Sequence, residues 1–307
     1  RNNLCMFAQT QNELHNMKHM SILAVSLLAL VACTPEKKQE ADYSQYVNPM
    51  IGTDFTGNTY PGAQVPFGMV QLSPDNGLPG WDRISGYFYP DTTIAGFSHT
   101  HLSGTGAGDL YDISFMPVTR PYKEAPAPLG IYSTFSHNDE AASAGYYRVL
   151  LKDYNINVEL TATERCGIQR YTFPEAEASV FLNLKKAMNW DFTLDSKIEV
   201  VDSTTIRGYR LSQGWSPLQH VYFETRFSKP FVACHMDTTS IVTKEKGWIG
   251  TAYVARFDFN TKKDEEILVT TGISGVSMEG AGKNLRAEAP KDDFDYYQAQ
   301  ASANWNR

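Results

Sequence analysis

Short runs of alternating apolar and polar residues fill the chain from Gly145 onward, and this pattern constrains the fold most. The runs are YYRVLL, CGIQRYTF, ASVFLNL, IEVV, TIRGYRL, HVYFETRF, YVARFDF and EILVTT. Residues two apart share one face of a strand, and turn-forming residues separate the runs, which predicts antiparallel all-β structure. With this many strands, two packed sheets are the economical architecture. We therefore expect an antiparallel β-sandwich.

The run HVYFETRF shows the two expected faces. Val221, Phe223, Thr225 and Phe227 form one face, whereas His220, Tyr222, Glu224 and Arg226 form the other. One face should pack in the core, and the other should meet solvent or a partner.

The last residues have a different period. In FDYYQAQASANWNR the residues Phe294, Tyr297, Ala301 and Trp305 fall on one stripe of a helix, and Asp292 and Asp293 suit its start. A helix with an apolar stripe needs a surface to pack on. Because the chain ends two residues after Trp305, we expect a second, helical domain to begin near this point. The predicted β-sandwich domain spans 43–275, and a linker with the start of a helix spans 276–307.

The first residues resemble a bacterial export leader. Met17 is followed by basic residues, then by the apolar run from Ile22 to Val31, and then by Cys33 in the lipobox-like sequence LVAC. The run is shorter than the roughly 20 apolar residues that span a bilayer. A buried helix is the alternative interpretation.

These features divide the first 42 residues into three parts. We expect 1–16 to be spurious upstream or unstructured sequence, 17–32 a lipoprotein signal peptide, and 33–42 a lipidated Cys33 with a charged tether. Thr34 after the cysteine favours the outer membrane of a bacterial cell envelope, with the periplasmic and surface faces both open.

Composition excludes some functions. The net charge of -7 gives no basic footprint for nucleic acid. Aromatic richness suits sugar binding and a β-sheet core equally. Cys166 and Cys234 lie at apolar positions of strand-like runs, which predicts two buried free thiols, with a disulfide as the alternative. The sequence has no CxxC or Cys/His zinc spacing.

The stretch from Asn48 to Asp112 is dense in Gly, Pro, Asn, Asp, His and aromatic residues. Such composition predicts loops with a constrained backbone, and such loops commonly form a site. The motifs NPMIGT, GNTYPGA, PFGM, SPD, GW, GYFY and GFSHTHLSGTG occur in this order. In these motifs the chain resembles the N-terminal domain of glycoside hydrolase family 92, the bacterial exo-acting α-mannosidases.

The resemblance implies a fold and an activity. It implies a supersandwich-like β-sandwich joined by linker helices to an (α/α)6 catalytic domain that is missing from this chain. It also implies calcium-dependent, inverting hydrolysis of terminal α-mannosides of N-glycans or mannans. We expect the α-1,2 type, with α-1,3, α-1,4 and α-1,6 linkages left open.

The resemblance also assigns the parts of the reaction. An inverting glycosidase uses two carboxylates roughly 6.5–9.5 Å apart, and the family places the acid, the base and most calcium ligands in the helical domain. We therefore expect no catalytic residue and no metal ligand in this chain, and no activity from it alone. The expected partners are mannose-containing glycans, the (α/α)6 domain and the membrane through the lipid anchor. A non-catalytic carbohydrate-binding surface lipoprotein is the alternative.

Four residues are candidates for binding substrate. Trp81 in NGLPGWD offers an indole for stacking on a pyranose, and it matches a family position beside the cleaved bond; packing on its own domain is the alternative. Gly62 would let backbone approach a sugar hydroxyl, or would only permit a turn. Asp82 and Asn58 carry groups that bind vicinal hydroxyls, although turn capping is the expected role for both.

Other polar and aromatic residues have less specific interpretations. His99 and His101 would share one side of a strand and could bind a metal. No third ligand has a standard spacing, so we expect a hydrogen-bonded role that supports the site. Asp109 and Asp112 are expected to cap turns, with a carboxylate pair as the alternative. Trp190 and Trp215 are expected to pack in the core or at an edge, with lining of the cleft as the alternative.

Several motifs are absent. GTGAGD is not GxGxxG, HLSGTG is not GxSxG, and the chain has no P-loop. Dinucleotide, nucleoside triphosphate and serine-hydrolase functions are therefore excluded.

Overall fold

The computed structural model describes residues 41–185, 191–243 and 248–307, with side chains left out for 238–243 and 248–252. The predicted leader, Cys33, most of the tether and Trp190 lie outside these ranges. Within the ranges described, no helix is both long enough and apolar enough to cross a membrane.

Strands dominate the described part of the chain. They are β1 (Ser73–Asp75), β2 (Thr93–Ile94), β3 (Gly96–Ser98), β4 (Ser114–Thr119), β5 (Glu124–Ala125), β6 (Gly130–Ile131), β7 (Ser133–Thr134), β8 (Glu140–Ser143), β9 (Tyr146–Leu151), β10 (Ile156–Ala162), β11 (Cys166–Phe173), β12 (Ala176–Asn183), β13 (Phe192–Val200), β14 (Thr205–Gln213), β15 (Gln219–Phe227), β16 (Ala233–Thr243), β17 (Trp248–Thr261) and β18 (Glu265–Ser274). Two α-helices follow, α1 (Met278–Glu288) and α2 (Phe294–Trp305).

Two antiparallel sheets form the body of the domain. The smaller sheet has six strands in the order β1-β3-β4-β12-β17-β16, and the larger has eight in the order β13-β14-β15-β18-β11-β10-β9-β8. The short pairs β2–β7 and β5–β6 lie beside them. The predicted all-β, antiparallel sandwich is confirmed.

The core lies between the two sheets. The apolar face of β15 is buried as predicted, with Val221, Phe223, Thr225 and Phe227 each less than a tenth exposed. The Phe227 ring contacts Phe115, Phe257 and Phe259 of the smaller sheet at centroid distances of 6.4, 5.2 and 5.7 Å. This aromatic cluster joins the sheets, since buried rings contribute large apolar areas and favour edge contacts.

Both α-helices pack on the outer face of the larger sheet. A second apolar cluster, separate from the core between the sheets, lies where the helices meet the larger sheet. It contains Cys166, Ile168, Leu268, Leu285, Ala289, Phe294 and Tyr297. The predicted helix at the end of the chain is present, and its Asp293 accepts from the Tyr296 amide at 3.0 Å. Ser277 caps α1 in the same way, accepting from the Gly280 amide at 3.0 Å. Helix α1 was not predicted from the sequence, and its segment MEGAGKNLRAE contains two glycines, which disfavour a helix interior.

The apolar stripe of α2 packs on the sandwich itself. Phe294, Tyr297 and Ala301 are buried against the sandwich, and the Trp305 indole donates to the Gln64 carbonyl at 2.6 Å. The larger sheet thus supplies the packing surface for this stripe, and the further helical domain stays a prediction.

The two cysteines of the sandwich are both free. Cys166 is buried, and desolvation raises the pKa of its thiol to about 12. Cys234 is half-buried. The prediction of free thiols is confirmed, the disulfide alternative is wrong, and full burial holds only for Cys166.

Candidate functional site

The backbone of the motif-rich stretch is constrained as predicted. Five of its non-glycine residues have positive φ angles between 50° and 87°, namely Phe55, Asn58, Phe67, Leu110 and Tyr111. Bulky residues adopt this region rarely, at a cost of about 1–3 kcal/mol each. Strain of this kind persists only where surrounding contacts impose it.

Hydrogen bonds between separate loops hold parts of this stretch together. The Gly104 amide donates to the Asn58 carbonyl at 2.6 Å, and the Tyr89 amide donates to the Thr53 carbonyl at 2.9 Å. The Trp215 amide donates to Asp109 Oδ1 at 2.8 Å. We call the surface formed by the loops 51–58, 80–91, 103–110 and 214–218 the loop end.

Trp81 is the most exposed of the four candidate substrate-binding residues. It begins a 3-10 turn, Trp81–Arg83, and its side chain is 59% exposed. The indole edge lies against Gly106, where a Cβ would come within 3.1 Å of Cη2. Packing on its own domain therefore covers only part of the ring, and the rest is open to a ligand.

The loop that carries Trp81 is held at both ends. The Asn76 side chain donates to the Thr93 carbonyl at 2.7 Å and accepts from the Phe88 amide at 2.5 Å. Ser85 is buried and donates to the Thr59 carbonyl at 2.9 Å. Because polar groups buried in a loop need such partners, this pattern fixes the loop base against two neighbouring segments.

His101 forms the centre of a buried polar cluster. Its Nδ1 lies 2.7 Å from the Gln71 carbonyl, and its Nε2 lies 2.8 Å from Asp75 Oδ1 and 3.1 Å from the Ser98 hydroxyl. Gly86 has a positive φ of 89°, and a Cβ there would come within 2.6 Å of Asp75 Oδ1. His101 is therefore hydrogen-bonded as predicted, and its support of a binding site stays a prediction.

His99 is fully buried beside this cluster. Its Nδ1 lies 2.7 Å from the Ile113 carbonyl, whereas Nε2 faces the Cα side of Gly167 and has no hydrogen-bond partner. Desolvation lowers the pKa of His99 to about 4. The ring is therefore neutral near pH 7, and its role is packing with one hydrogen bond.

Asp109 and Asp112 join the loop end to the larger sheet. Asp109 is buried and accepts from the Trp215 and Ser216 amides at 2.8 and 2.9 Å, so it caps that loop as predicted. Asp112 accepts from the Arg210 guanidinium at 2.6 Å. The prediction that Asp112 caps a turn is wrong, because it is one half of a buried ion pair.

The Arg210 network was not predicted from the sequence. Arg210 is fully buried and also donates to Asp191 Oδ2 at 2.9 Å and to the Thr193 hydroxyl at 2.9 Å. Burial raises the pKa of Asp191 to about 6, against the opposing charge of Arg210. Burial alternates along β14, so Arg210 lies on the same inner face as Ile206. This alternation was the sequence signal that could have identified Arg210 as buried.

Gly62 has a structural reason for lacking a side chain. A Cβ at this position would come within 2.2 Å of the Leu72 carbonyl oxygen and 2.4 Å of the Ser73 Cβ. The space is therefore filled by the chain itself, beside the bridge between Ala63 and Leu72. The proposed approach of a sugar hydroxyl at the missing Cβ is wrong.

Asn58 and Asp82 differ in exposure. Asn58 is buried with a φ of 52°, and its Oδ1 has no hydrogen-bond partner. Asp82 is half-buried in the turn that begins with Trp81. Asp82 thus remains partly accessible and directly follows Trp81 in the chain.

Large apolar side chains are exposed on the loop end and next to it. Ile51, Phe55, Phe67, Trp215, Leu218 and Val276 are each more than half exposed, and Met69 is 40% exposed. The predicted edge or core packing of Trp215 is wrong, because its side chain is 80% exposed. Isolated exposed apolar residues are ordinary, whereas contiguous apolar patches mark interaction surfaces.

No metal-binding group was found among the described residues. In that part of the chain, no three His, Cys, Asp or Glu side chains lie close enough together to hold an ion. His99 and His101 each use a ring nitrogen on a backbone carbonyl instead.

The described chain is an antiparallel, two-sheet β-sandwich domain that carries strained loops and an exposed tryptophan. A family model described as the glycosyl hydrolase family 92 N-terminal domain matches residues 46–274. The chain therefore belongs to this family and contains its N-terminal domain.

Solved structures agree with this assignment. The family GH92 α-mannosidase BT3965 from Bacteroides thetaiotaomicron, in complex with mannoimidazole, is 37% identical with a TM-score of 0.79, over 87% of this chain and 37% of that protein. The family GH92 inverting mannosidase BT2199 from Bacteroides thetaiotaomicron VPI-5482 is 26% identical with a TM-score of 0.72, over 88% of this chain and 36% of that protein.

A curated relative is more distant. An uncharacterized secreted glycosidase of Arthroderma benhamiae is 26% identical over 172 residues, which are 53% of this chain and 21% of that protein. This chain thus spans well under half the length of each relative.

Proposed function

We propose that this chain is the N-terminal part of a calcium-dependent, inverting exo-α-mannosidase of the α-1,2 type, which removes terminal mannose from N-glycans or mannans. The observation that carries the proposal is the family match over residues 46–274, together with 37% identity to the α-mannosidase BT3965. The name of BT2199 as an inverting mannosidase supports the stereochemical part.

The loop end would form part of the substrate cleft. Trp81 offers a partly open indole face, on which the apolar face of a pyranose can stack. Asp82 stands in the same turn, where its carboxylate would accept from sugar hydroxyls. We assign Trp81 to the subsite for the sugar that leaves the cleaved bond, with Asp82 as its polar neighbour.

The apolar side chains of the loop end would contact an (α/α)6 catalytic domain. Exposed patches of Phe, Trp, Leu and Ile next to polar loops are typical of interaction surfaces. We assign calcium, the general acid and the general base to that domain, and to this chain the binding and orientation of the glycan. The cleft would then lie between the two domains.

The protein would be a lipoprotein of the bacterial cell envelope. The leader-like sequence before Cys33, with Thr34 after it, supports lipid anchoring in the outer membrane. The relative from Arthroderma benhamiae is named as secreted, which agrees with a location outside the cytoplasm.

The test is mannose release from a panel of α-1,2, α-1,3, α-1,4 and α-1,6 mannobioses. The protein from the whole open reading frame is assayed beside the 307-residue chain, each with calcium and with EDTA. We expect the former to release mannose, most rapidly from the α-1,2 substrate, and to stop in EDTA, while the latter stays inactive. The anomer first released, followed by NMR, reports inversion.

Each part of the proposal can fail separately. Activity that persists in EDTA would overturn the calcium dependence, and a different preferred linkage would overturn the α-1,2 assignment. No release from any linkage would overturn the mannosidase. The chain would then be assayed for mannan binding as a carbohydrate-binding lipoprotein.

A further inference from the structure

The turn that carries Trp81 also contains Arg83, which forms an ion pair with Asp91. Arg83 Nε donates to Asp91 Oδ2 at 2.6 Å, and Nη2 donates to Asp91 Oδ1 at 2.5 Å. The two side chains are 22% and 9% exposed. A bidentate, largely shielded pair of this kind is stronger and more directional than an ordinary surface ion pair.

The Arg83 guanidinium contacts three points of the same loop. It stacks over the Phe88 ring at 4.7 Å, and it lies near Gly80, where a Cβ would be 3.4 Å from Nη1. Gly80 has φ 157° and ψ 158°, a conformation that essentially only glycine adopts. Arg83 therefore joins the residue before Trp81 to the far end of the loop at Asp91.

We propose that the Arg83–Asp91 pair positions the Trp81 indole for the leaving sugar. The inference rests on the proposed function, which gives Trp81 its subsite. Arg83 and Trp81 share one 3-10 turn, so an ion pair that holds Arg83 also restrains the backbone from which the Trp81 side chain projects. Both members of the pair are positioning residues, since neither is assigned a contact with the glycan.

The geometry requires arginine at this position. A planar guanidinium fork matches a carboxylate with two parallel hydrogen bonds, whereas a lysine ammonium makes point contacts on a flexible stem. The base of the loop has its own hydrogen bonds through Asn76 and Ser85. Loss of the ion pair should therefore loosen the turn without unfolding the domain.

A second ion pair of the same domain gives a matched control. Arg170 donates to Glu159 through Nε at 2.7 Å and Nη2 at 2.9 Å, and it stacks over the Phe294 ring at 4.4 Å. The pair has similar exposure, 15% and 12%, but lies on the outer face of the larger sheet. Breaking it should reduce stability without moving Trp81.

The experiment uses the protein from the whole open reading frame, with Asp91→Asn, Arg83→Lys, Trp81→Ala and Arg170→Gln variants. KM and kcat are measured on the preferred α-mannobiose and on α-mannosyl fluoride, whose small fluoride leaving group does not fill the subsite of the leaving sugar. In parallel, 5-fluorotryptophan labelling reports the ¹⁹F resonance of Trp81, which is assigned by its loss in the Trp81→Ala variant.

We expect Asp91→Asn and Arg83→Lys to shift the Trp81 resonance and to raise KM for the mannobiose by about three- to tenfold, the range of one aromatic stacking contact. KM for α-mannosyl fluoride should change by less than about twofold, because fluoride makes no stacking contact. Asp91→Asn should have no further effect in the Trp81→Ala background, because the pair acts through the indole.

The inference is overturned if Asp91→Asn leaves both KM and the Trp81 resonance unchanged. It is also overturned if Arg170→Gln raises KM equally, or if the effects of Asp91→Asn and Trp81→Ala simply add. If Trp81→Ala itself leaves KM unchanged, the subsite assignment fails, and the inference fails with it. An inactive parent enzyme is a failure of the proposed function, which activity of the parent on mannobiose distinguishes.

Discussion

The indole of Trp81 lies against Gly106, a residue 25 positions later in the chain. A Cβ built on residue 106 would be 3.1 Å from Cη2 and 3.5 Å from Cζ2 of the indole. Any side chain at position 106 therefore requires the ring to move. Gly106 in the sequence SGTGAG therefore determines where the Trp81 ring lies, because it has no side chain to displace the ring.

We predict that Gly106→Val displaces the Trp81 ring. The φ angle of Gly106 is not in the left-handed region, so valine is compatible with the backbone and the effect falls on the indole. Because the contact is at the surface, the free energy of unfolding should change by less than about 1 kcal/mol. The measurement is the ¹⁹F resonance of Trp81, together with urea unfolding.

Ser103→Val is the control for this prediction, since Ser103 is exposed in the same loop. It adds a comparable apolar side chain away from the ring and should leave the Trp81 resonance in place. An unchanged resonance in Gly106→Val would contradict the prediction.

The buried Arg210 should contribute strongly to stability. Its guanidinium lies 2.6 Å from Asp112 Oδ1 and 2.9 Å from Asp191 Oδ2, with all three side chains at or near full burial. Arg210→Met would leave two carboxylates in the core without their cation, and such losses cost about 3–5 kcal/mol. The measurement is the free energy of unfolding in urea at pH 7.

Arg207→Met is the matched control on the same strand. Arg207 pairs with Glu199 at 2.7 Å on the solvent side of β14, where water screens the pair. We expect little change from this variant. Equal destabilisation by the two variants would show that the buried network has no special role.

Burial of neutral His99 should make stability depend on pH. Its pKa is lowered to about 4 by desolvation, compared with roughly 6.5 in an unfolded chain. The unfolded state therefore binds more protons between these values, so stability is complete above about pH 6.5 and is lost as pH falls toward 4. The expected loss is about 3 kcal/mol. Urea unfolding of the parent and of His99→Gln between pH 4 and 7 measures it.

Asp191 should act in the opposite direction over a similar range. Its pKa is raised to about 6, compared with roughly 3.9 unfolded, so its contribution to stability is lost as pH rises from about 4 to 6. His99→Gln should therefore flatten the loss toward acid, whereas Asp191→Asn should steepen it. A pH slope unchanged by His99→Gln would show that the imidazole is not the group responsible.

The sandwich was predictable because the signal is local. Alternation in β15 depends only on residues two apart, and burial of Val221, Phe223 and Phe227 follows directly. The same rule applies to Arg210, which lies on the inner face of β14. Its partners were not predictable, because Asp112 precedes it by 98 residues and no periodicity links the two.

The site was predictable only in outline. Gly, Pro and aromatic density located the loops, and the family motifs identified Trp81. The contacts that orient the ring come from Gly106 and from Asp91, which are set by loop conformation and not by spacing. Gly62 illustrates the converse, because its lack of a side chain reflects close packing against Leu72 and Ser73.

The docking of α2 on the larger sheet can be tested with Phe294→Ala. Phe294 is buried, contacts the Tyr146 ring at 6.3 Å and lies under the Arg170 guanidinium at 4.4 Å. Truncation of a buried phenylalanine costs about 3–5 kcal/mol, so we expect a loss near the lower end, because the site lies on an outer face where neighbours can relax. Urea unfolding measures the loss, and hydrogen exchange of α2 amides shows whether the helix detaches.

Tyr296→Ala is the control on the same helix. Tyr296 is 40% exposed and contacts Lys291 through its ring, an interaction worth about 0.5–1 kcal/mol at exposed sites. If Phe294→Ala destabilises the domain no more than this control, the stripe does not hold α2 on the sheet. A large loss confined to Phe294→Ala would establish that the larger sheet supplies the packing surface for α2.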